Sequence, residues 1–301
     1  MKVFVTGATG YIGSSVAAAL LKHGHVVIGL ARSSESAQKL KNCGVEPFRG
    51  DIRDKNSFSA AAREADAMIH AASPNDSTSA EADNAVIDTV CETLQGTDKP
   101  FIYTSGIWVI GETGNKVADE DSSLYPIDLV KWRAVCEQRV LAAAKGDSCI
   151  RASVLRPGVV YGRGGGIPAS FFQSAKERGT VIFVGDGENH WPVVHVDDLA
   201  DLYVRVLKIE EGGLVFHGIS EEAVKVRDIA IAASEGAGIP GKISPWPVAE
   251  ARETLGLFAD ALALDQHISS EKTRKQLGWE PKAPRVTDDL RHGSYKAASA
   301  A

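Results

Sequence analysis

Short apolar runs punctuate the first half of the chain at regular intervals. Met1-Lys2-Val3-Phe4-Val5 opens the series, followed by Val26-Val27-Ile28-Gly29-Leu30, Ala67-Met68-Ile69-His70, Phe101-Ile102-Tyr103-Thr104 and Arg151-Ala152-Ser153-Val154-Leu155-Arg156. Helical patterns lie between them, among them Ser14–Leu21, Ser34–Asn42 and Trp132–Ala144. Near-continuous apolar strands alternating with amphipathic helices predict repeated βαβ units and a parallel sheet covered on both faces. The expected fold class is therefore α/β and doubly wound. Past Pro157 the pattern loosens, with breaks at Gly164-Gly165-Gly166-Ile167-Pro168 and between Gly236 and Pro247, which predicts a smaller C-terminal lobe. Val193–Leu207 and Gly213–Ile219 read as returns to the sheet. The predicted division is thus residues 1–163 and 193–220 for the sheet domain, and 164–192 and 221–301 for the lobe.

Composition narrows the chemistry. A chain of 301 residues with 44% hydrophobic content can bury a large core, and a net charge of -6 gives no general attraction to nucleic acid or an anionic membrane. A small-molecule substrate is the expected partner. The four cysteines, Cys43, Cys91, Cys136 and Cys149, lack metal-binding or C-x-x-C spacing, so buried free thiols, no metal and a cytoplasmic setting are expected. No charged-then-apolar leader precedes the first strand, and no run reaches the roughly 18 apolar residues of a membrane span.

The first strand runs into Thr6-Gly7-Ala8-Thr9-Gly10-Tyr11-Ile12-Gly13 and then directly into a helix. Gly7 can take a tight turn, Gly10 can let backbone amides approach a diphosphate, and Gly13 can let the helix lie against the sheet. That context points to a dinucleotide.

Further motifs follow in order: Gly50-Asp51-Ile52-Arg53-Asp54, His70-Ala71-Ala72, Tyr103-Thr104-Ser105-Gly106, Arg156-Pro157-Gly158-Val159-Val160-Tyr161-Gly162, His195-Val196-Asp197-Asp198-Leu199-Ala200 and Gly278-Trp279-x-Pro281. Together with the glycine turn they resemble the extended short-chain dehydrogenase/reductase superfamily, in particular its NAD-dependent epimerase/dehydratase-like branch. The resemblance covers nearly the whole chain. It implies a Rossmann-type sheet of about seven strands holding NAD(H) or NADP(H), with a small substrate lobe. It also implies that Asp51 and Ile52 edge the adenine, that Ala71, Ala72 and Ser73 line the cofactor, and that Thr9, Tyr11, Ile12, Thr104, Lys131, Pro157, Gly158, Val159 and Val160 contribute further contacts.

Cofactor choice is legible after the second strand. An NAD site places an acid roughly 20 residues beyond the glycines, to bond the ribose hydroxyls. Here the strand ends Leu30-Ala31-Arg32-Ser33-Ser34. A guanidinium at Arg32 and the Ser33 hydroxyl suit a 2′-phosphate, so NADP(H) is expected over the alternative NAD(H).

The catalytic pattern departs from the family. Its usual Tyr-x-x-x-Lys pair uses an ammonium to lower a phenol's pKa as hydride moves. Trp132-Arg133-Ala134-Val135-Cys136-Glu137 anchors the lysine as Lys131, but four residues earlier stands Ile127. Tyr125 lies six positions before Lys131, about 240° around an ideal helix, and can substitute only if the chain before Lys131 is not helical. The family's substrate-binding hydroxyl also falls on a glycine, Gly106. Ser105, one residue early, reads equally as a catalytic hydroxyl or as a turn serine.

Lys131, Ser105 and Tyr125 are thus the catalytic candidates, with Asp128, Tyr161 and His190 as further proton sources. Trp108, Phe171, Phe172 and Trp191 favour an apolar or aromatic ligand, and each also suits ordinary core. The glycines at 164–166 suggest a lid. The expected activity is an NADP(H)-dependent reductase of a carbonyl, enone or imine. The alternatives are a sugar-nucleotide epimerase or dehydratase and a catalytically inactive NADP(H)-sensing binding protein. The Val86–Leu94 and Trp132–Ala144 stretches leave monomer and homodimer open.

Overall fold

The computed structural model describes residues 1–145 and 150–299. The chain forms two compact units. The first comprises Met1–Ser105, Trp132–Arg156 and Ala200–Phe216; the second comprises Gly106–Lys131, Pro157–Leu199 and His217–Ala301.

The first unit is built on a seven-stranded sheet. Its leading strands are β1 (Lys2–Thr6), β2 (Val26–Ala31), β3 (Glu46–Arg49), β4 (Ala67–His70) and β5 (Pro100–Thr104). With the later strands Arg151–Pro157 and Leu214–Gly218, the spatial order is Leu214–Gly218, Arg151–Pro157, β5, β4, β1, β2, β3. The pairings from β3 across to Arg151–Pro157 are parallel. The connecting helices are α1 (Tyr11–Lys22), α2 (Ser34–Asn42), α3 (Ser59–Glu64), α4 (Ser79–Leu94) and α5 (Lys131–Ala143). This is the expected doubly wound α/β fold.

Burial follows the sequence pattern. Val3, Phe4, Val5, Ala67, Met68 and Ile69 are wholly inaccessible, as strands covered on both faces require. On α4 the buried residues Ala82, Val86, Ile87, Val90, Thr93 and Leu94 recur at three- and four-residue spacing and form one stripe against the sheet. Strand order reverses beside β1: the chain steps outward to β2 and β3, then crosses to β4 on β1's other side. In open α/β sheets such a reversal leaves a crevice beyond the strands' carboxyl ends.

The second unit has its own core. A four-stranded sheet, ordered Glu221–Lys225, His190–His195, Val159–Gly162, Gly165–Gly166, packs with Phe171, Val181, Phe183, Val226, Ile229 and Leu290. A smaller cluster joins Ile107, Val109, Ile110, Val130, Ile219 and Ile268.

The boundaries differ from those read from the sequence. The strand His190–His195 pairs with Val159–Gly162 rather than with the large sheet, so of the predicted return segment it is Ala200–Phe216 that belongs to the first unit, and the strand Leu214–Gly218 that joins its sheet. Residues 106–131 also belong to the second unit, because their apolar side chains pack with Ile219 and Ile268. The glycines at 164–166 form no free lid in this structure. Gly165–Gly166 pairs with Tyr161–Gly162, Gly164 donates to Ser294 Oγ at 3.0 Å, and Tyr295 donates to the Gly165 carbonyl at 2.6 Å. Phe171 and Trp191 are core residues, 3% and 4% exposed, stacked on one another.

Among the expected buried thiols, Cys136 is buried, which pushes its pKa up to about 11, Cys91 is half-buried and Cys43 is exposed. Cys43 ends α2 as its C-cap, at the solvent-facing rim of the helix. Cys149 lies outside the described residues. Among the described residues no helix is long and apolar enough to cross a membrane.

Candidate active site

The glycine turn sits at the strand reversal. Gly7 has φ 77°, and a Cβ there would stand 2.6 Å from the backbone of Ala71 and Ala72 at the end of β4. A Cβ on Gly13 would meet the Gly7 carbonyl oxygen at 2.1 Å. Neither position can hold another residue without moving backbone, which fixes α1 close against β1. Gly10 donates its N–H to the Gly7 carbonyl at 2.8 Å and is the N-cap of α1.

Among the described residues no side chain caps α1, and its first turn carries no acid. Helix α2 is the contrast: Ser33 and Ser36 close a capping box and Glu35 lies in the first turn. The positive end of α1 is therefore left for an external anion, and Gly10 opens the approach to it. The chain's own residues thus fit the diphosphate of a dinucleotide.

The other predicted cofactor residues sort by what already occupies them. Arg32 is exposed, and among the described residues no hydrogen bond or ion pair holds it. Ser33 is committed: its Oγ accepts from Ser36 N at 3.1 Å and donates to Ser36 Oγ at 3.1 Å. Asp51 is tied to Arg53 by two side-chain bonds of 3.0 and 2.6 Å, which hold its carboxyl down at about 2. Ala71, Ala72 and Ser73 are half-buried at the end of β4, with Ala71 N donating to the Thr6 carbonyl. Pro157, Gly158, Val159 and Val160 lie in the second unit; Gly158 donates to the Gly218 carbonyl at 3.0 Å, and a Cβ there would meet the Pro192 carbonyl at 2.6 Å.

Beneath the strand ends lies a polar network that the sequence reading missed. Thr6 Oγ1 and His70 Nδ1 are 2.6 Å apart, His70 Nε2 lies 3.1 Å from Asp83 Oδ1, and the Tyr103 hydroxyl donates to Asp83 Oδ2 at 2.5 Å. All four residues are buried. Burial first, and the Asp83 carboxylate second, raise the Tyr103 phenol well above its usual range. His70 is packed in the core, and its partners are side chains. The signal for Asp83 was available, since it is an acid on the apolar stripe of α4, three and four residues from Val86 and Ile87.

Arg133 extends the network. It donates to the Thr104 carbonyl at 3.0 Å and to Ser73 Oγ at 3.4 Å, and its guanidinium lies 3.8 Å from Asp83. Thr104 Oγ1 also shares a 2.6 Å hydrogen bond with the Tyr203 hydroxyl. One helix start is thus tied to the ends of β4 and β5.

The catalytic candidates differ sharply in environment. Ser105 is 8% exposed; its N–H donates to the Leu155 carbonyl at 2.8 Å, while its buried Oγ has no partner among the described residues. A buried hydroxyl left unsatisfied is unfavourable in the free protein and ready for a ligand atom. Lys131 opens α5, is 66% exposed, and pairs with Asp128 Oδ1 at 2.5 Å. The chain before it is not α-helical: Ile127 is extended and Asp128–Val130 form a 3-10 turn. Tyr125 is 74% exposed. Ile127 packs on the small apolar cluster of the second unit, and Gly106 is extended, with open space where a Cβ would stand.

The further proton sources are engaged elsewhere. Tyr161 donates to the Pro284 carbonyl at 2.7 Å and burial raises its pKa, while His190 contacts Asp265. In the His195–Ala200 motif, Asp197 pairs with Arg163 at 2.7 Å, and Asp198 accepts from the N–H groups of Lys282 and Ala283.

The sheet order, the glycine turn and the strand reversal together define a Rossmann-like α/β protein. The chain belongs to the NAD dependent epimerase/dehydratase family, which it matches over residues 3–216, and so to the extended short-chain dehydrogenase/reductase superfamily. It is 36% identical to an uncharacterized protein of Saccharomyces cerevisiae, across 97% of this chain and 98% of that one. It is 26% identical to the 2-alkyl-3-oxoalkanoate reductase of Stenotrophomonas maltophilia, across 100% of both. Among solved structures it resembles the dTDP-glucose 4,6-dehydratase of Bacillus anthracis in complex with NAD. That likeness has a TM-score of 0.82 and 18% identity, over 99% of this chain and 96% of that one.

Proposed function

We propose that this protein is an NADP(H)-dependent reductase of a small, apolar or aromatic carbonyl, enone or imine. The observation that carries the reading is the start of α1, held by Gly7 and Gly13 at the strand reversal, an anion site that no side chain among the described residues caps. The full-length similarity to a 3-oxoalkanoate reductase supports reduction of a carbonyl. The unpaired Arg32, standing where an NAD site carries an acid, supports the 2′-phosphorylated coenzyme. Ser33 serves chiefly to cap α2 and adds less than the sequence suggested.

When bound, the coenzyme supplies the hydride; the protein orients and protonates. Ser105, with its unspent buried hydroxyl, holds a substrate oxygen or nitrogen. Lys131 bonds the nicotinamide ribose and, with Asp128 beside it, offers an exchangeable proton. Reduction of an iminium carbon needs no proton, which suits a site with Ile127 and Gly106 at the family's two hydroxyl positions. An epimerase or dehydratase draws less support, because its hydride-removing step needs a base for the hydroxyl proton and no phenol stands four residues before Lys131.

Calorimetry with NADPH and NADH, beside a turnover panel of ketones, enones and imines, tests the reading. Arg32→Ala is expected to weaken NADPH by roughly 10- to 100-fold, as loss of a charge-assisted phosphate contact should, and to leave NADH unchanged. Equal affinity for the two coenzymes in the unmodified protein would exclude the NADP(H) assignment. Binding of neither would exclude the whole reading.

A further inference from the structure

Outside the coenzyme region, the second unit gathers two imidazoles and a carboxylate. His190 Nδ1 lies 2.8 Å from Asp265 Oδ1, His267 Nε2 lies 3.6 Å from the same oxygen, and the two rings are 4.5 Å apart. The three candidate ligand atoms all fall within 4.8 Å of one another. His267 Nε2 is buried and has no hydrogen-bond partner among the described residues, although a lone-pair nitrogen or N–H in that position should find one.

The backbone builds this arrangement. His190 N donates to Asp265 Oδ1 at 2.8 Å, and Gln266 N donates to the His190 carbonyl at 3.0 Å, so the two segments run side by side. Asp265 and His267 are two residues apart, which turns both side chains to one side of an extended segment. Thr113 secures that segment from its other flank: its N–H donates to the Asp265 carbonyl at 3.0 Å, and its Oγ1 accepts from His267 N at 2.8 Å. Gln266, pointing the opposite way, donates to the Ile107 and Gly111 carbonyls. Three stretches of chain, near residues 111–118, 190 and 265–268, thus converge on one donor set.

We propose that His190, Asp265 and His267 bind a divalent first-row transition cation of the zinc class. Tetrahedral coordination with bonds of about 2.0–2.2 Å separates ligand atoms by roughly 3.4 Å, and the observed 2.8 and 3.6 Å lie on either side of that value. Small side-chain rotations suffice to admit the ion. Mixed imidazole and carboxylate donors favour zinc-like cations over magnesium or calcium, which prefer oxygen. The ion displaces the proton between His190 and Asp265 and gives His267 Nε2 the partner it lacks; three protein ligands leave a fourth position for water. Its effect is to clip the stretch at His190 to the 265–267 segment that Thr113 already secures.

Zinc is titrated into the full chain against a chromogenic chelator, with cobalt(II) as a spectroscopic stand-in. One equivalent should bind, cobalt should give the intense visible bands of a four-coordinate site, and zinc should raise the melting temperature. His267→Gln and Asp265→Asn should each weaken zinc by about 100-fold or more, the upper end of what loss of even an outer-shell partner costs. Melting curves without metal report whether each variant folds, and the cobalt spectrum of the unmodified protein stands independently of them. Unchanged affinity in folded variants, or no stoichiometric binding and no cobalt bands in the unmodified protein, overturns the proposal.

Discussion

Gly106 is where a single side chain could restore what this chain lacks. Its backbone is extended, a conformation open to any residue, and nothing lies within 4 Å of the position a Cβ would take. Gly106→Ser should therefore change stability by no more than about 0.5 kcal/mol, as read from thermal melts. It should raise ketone turnover while leaving iminium reduction unchanged, since only the ketone needs a hydroxyl at its nascent alkoxide. If ketone turnover stays flat while coenzyme affinity is intact, the missing hydroxyl at 106 is not what limits the reaction. Residues were unevenly legible from sequence. The demand for glycine at 7 and 13 could be read from spacing, because backbone packing leaves room for nothing else. The state of Ser105 could not, because it depends on which neighbours fail to reach its hydroxyl.

At the scale of elements, alternating apolar runs and helices were enough to place β1, β2, β4, β5 and α2 within a residue or so, since parallel strands buried on both faces leave few alternatives. Polar groups inside that core were harder to see. Glu137 on α5 and Arg156 on the strand Arg151–Pro157 are 1% and 4% exposed and meet at 2.6 Å. Each resembles an ordinary surface charge in the sequence, and only the packing shows that they are sealed together. Glu137→Gln removes the carboxylate while the guanidinium stays buried, so denaturant unfolding should show a loss of about 3 kcal/mol. An unchanged denaturation midpoint would mean that water reaches the pair. Capping carries a similar lesson: Ser33 looked like a ligand contact because it follows β2, yet its position also starts α2, and there the helix claims it.

For the whole molecule, coenzyme binding and stability are linked. At roughly 100 times its Kd, NADPH should add about 2.7 kcal/mol and raise the melting temperature of the unit it binds by roughly 9 °C. Gly13→Ala, whose Cβ would strike the Gly7 carbonyl, should abolish that shift and lower the starting temperature. A retained shift would move the coenzyme away from the α1 turn. The class of fold was legible at this scale, but the division into units was not. Strand partners such as Val159–Gly162 for His190–His195 are chosen by long-range packing that no local pattern encodes.

The grip of Arg133 on Thr104 and Ser73 has a practical consequence. It anchors the start of α5 to the sheet from the C-terminal side of Lys131, independently of the stretch from 106 to 130. Exchanging that stretch for the equivalent from a relative would leave this anchor of the helix untouched, but it would remove the packing of Ile107, Val109, Ile110 and Val130 on Ile219 and Ile268 and the Asp128 partner of Lys131.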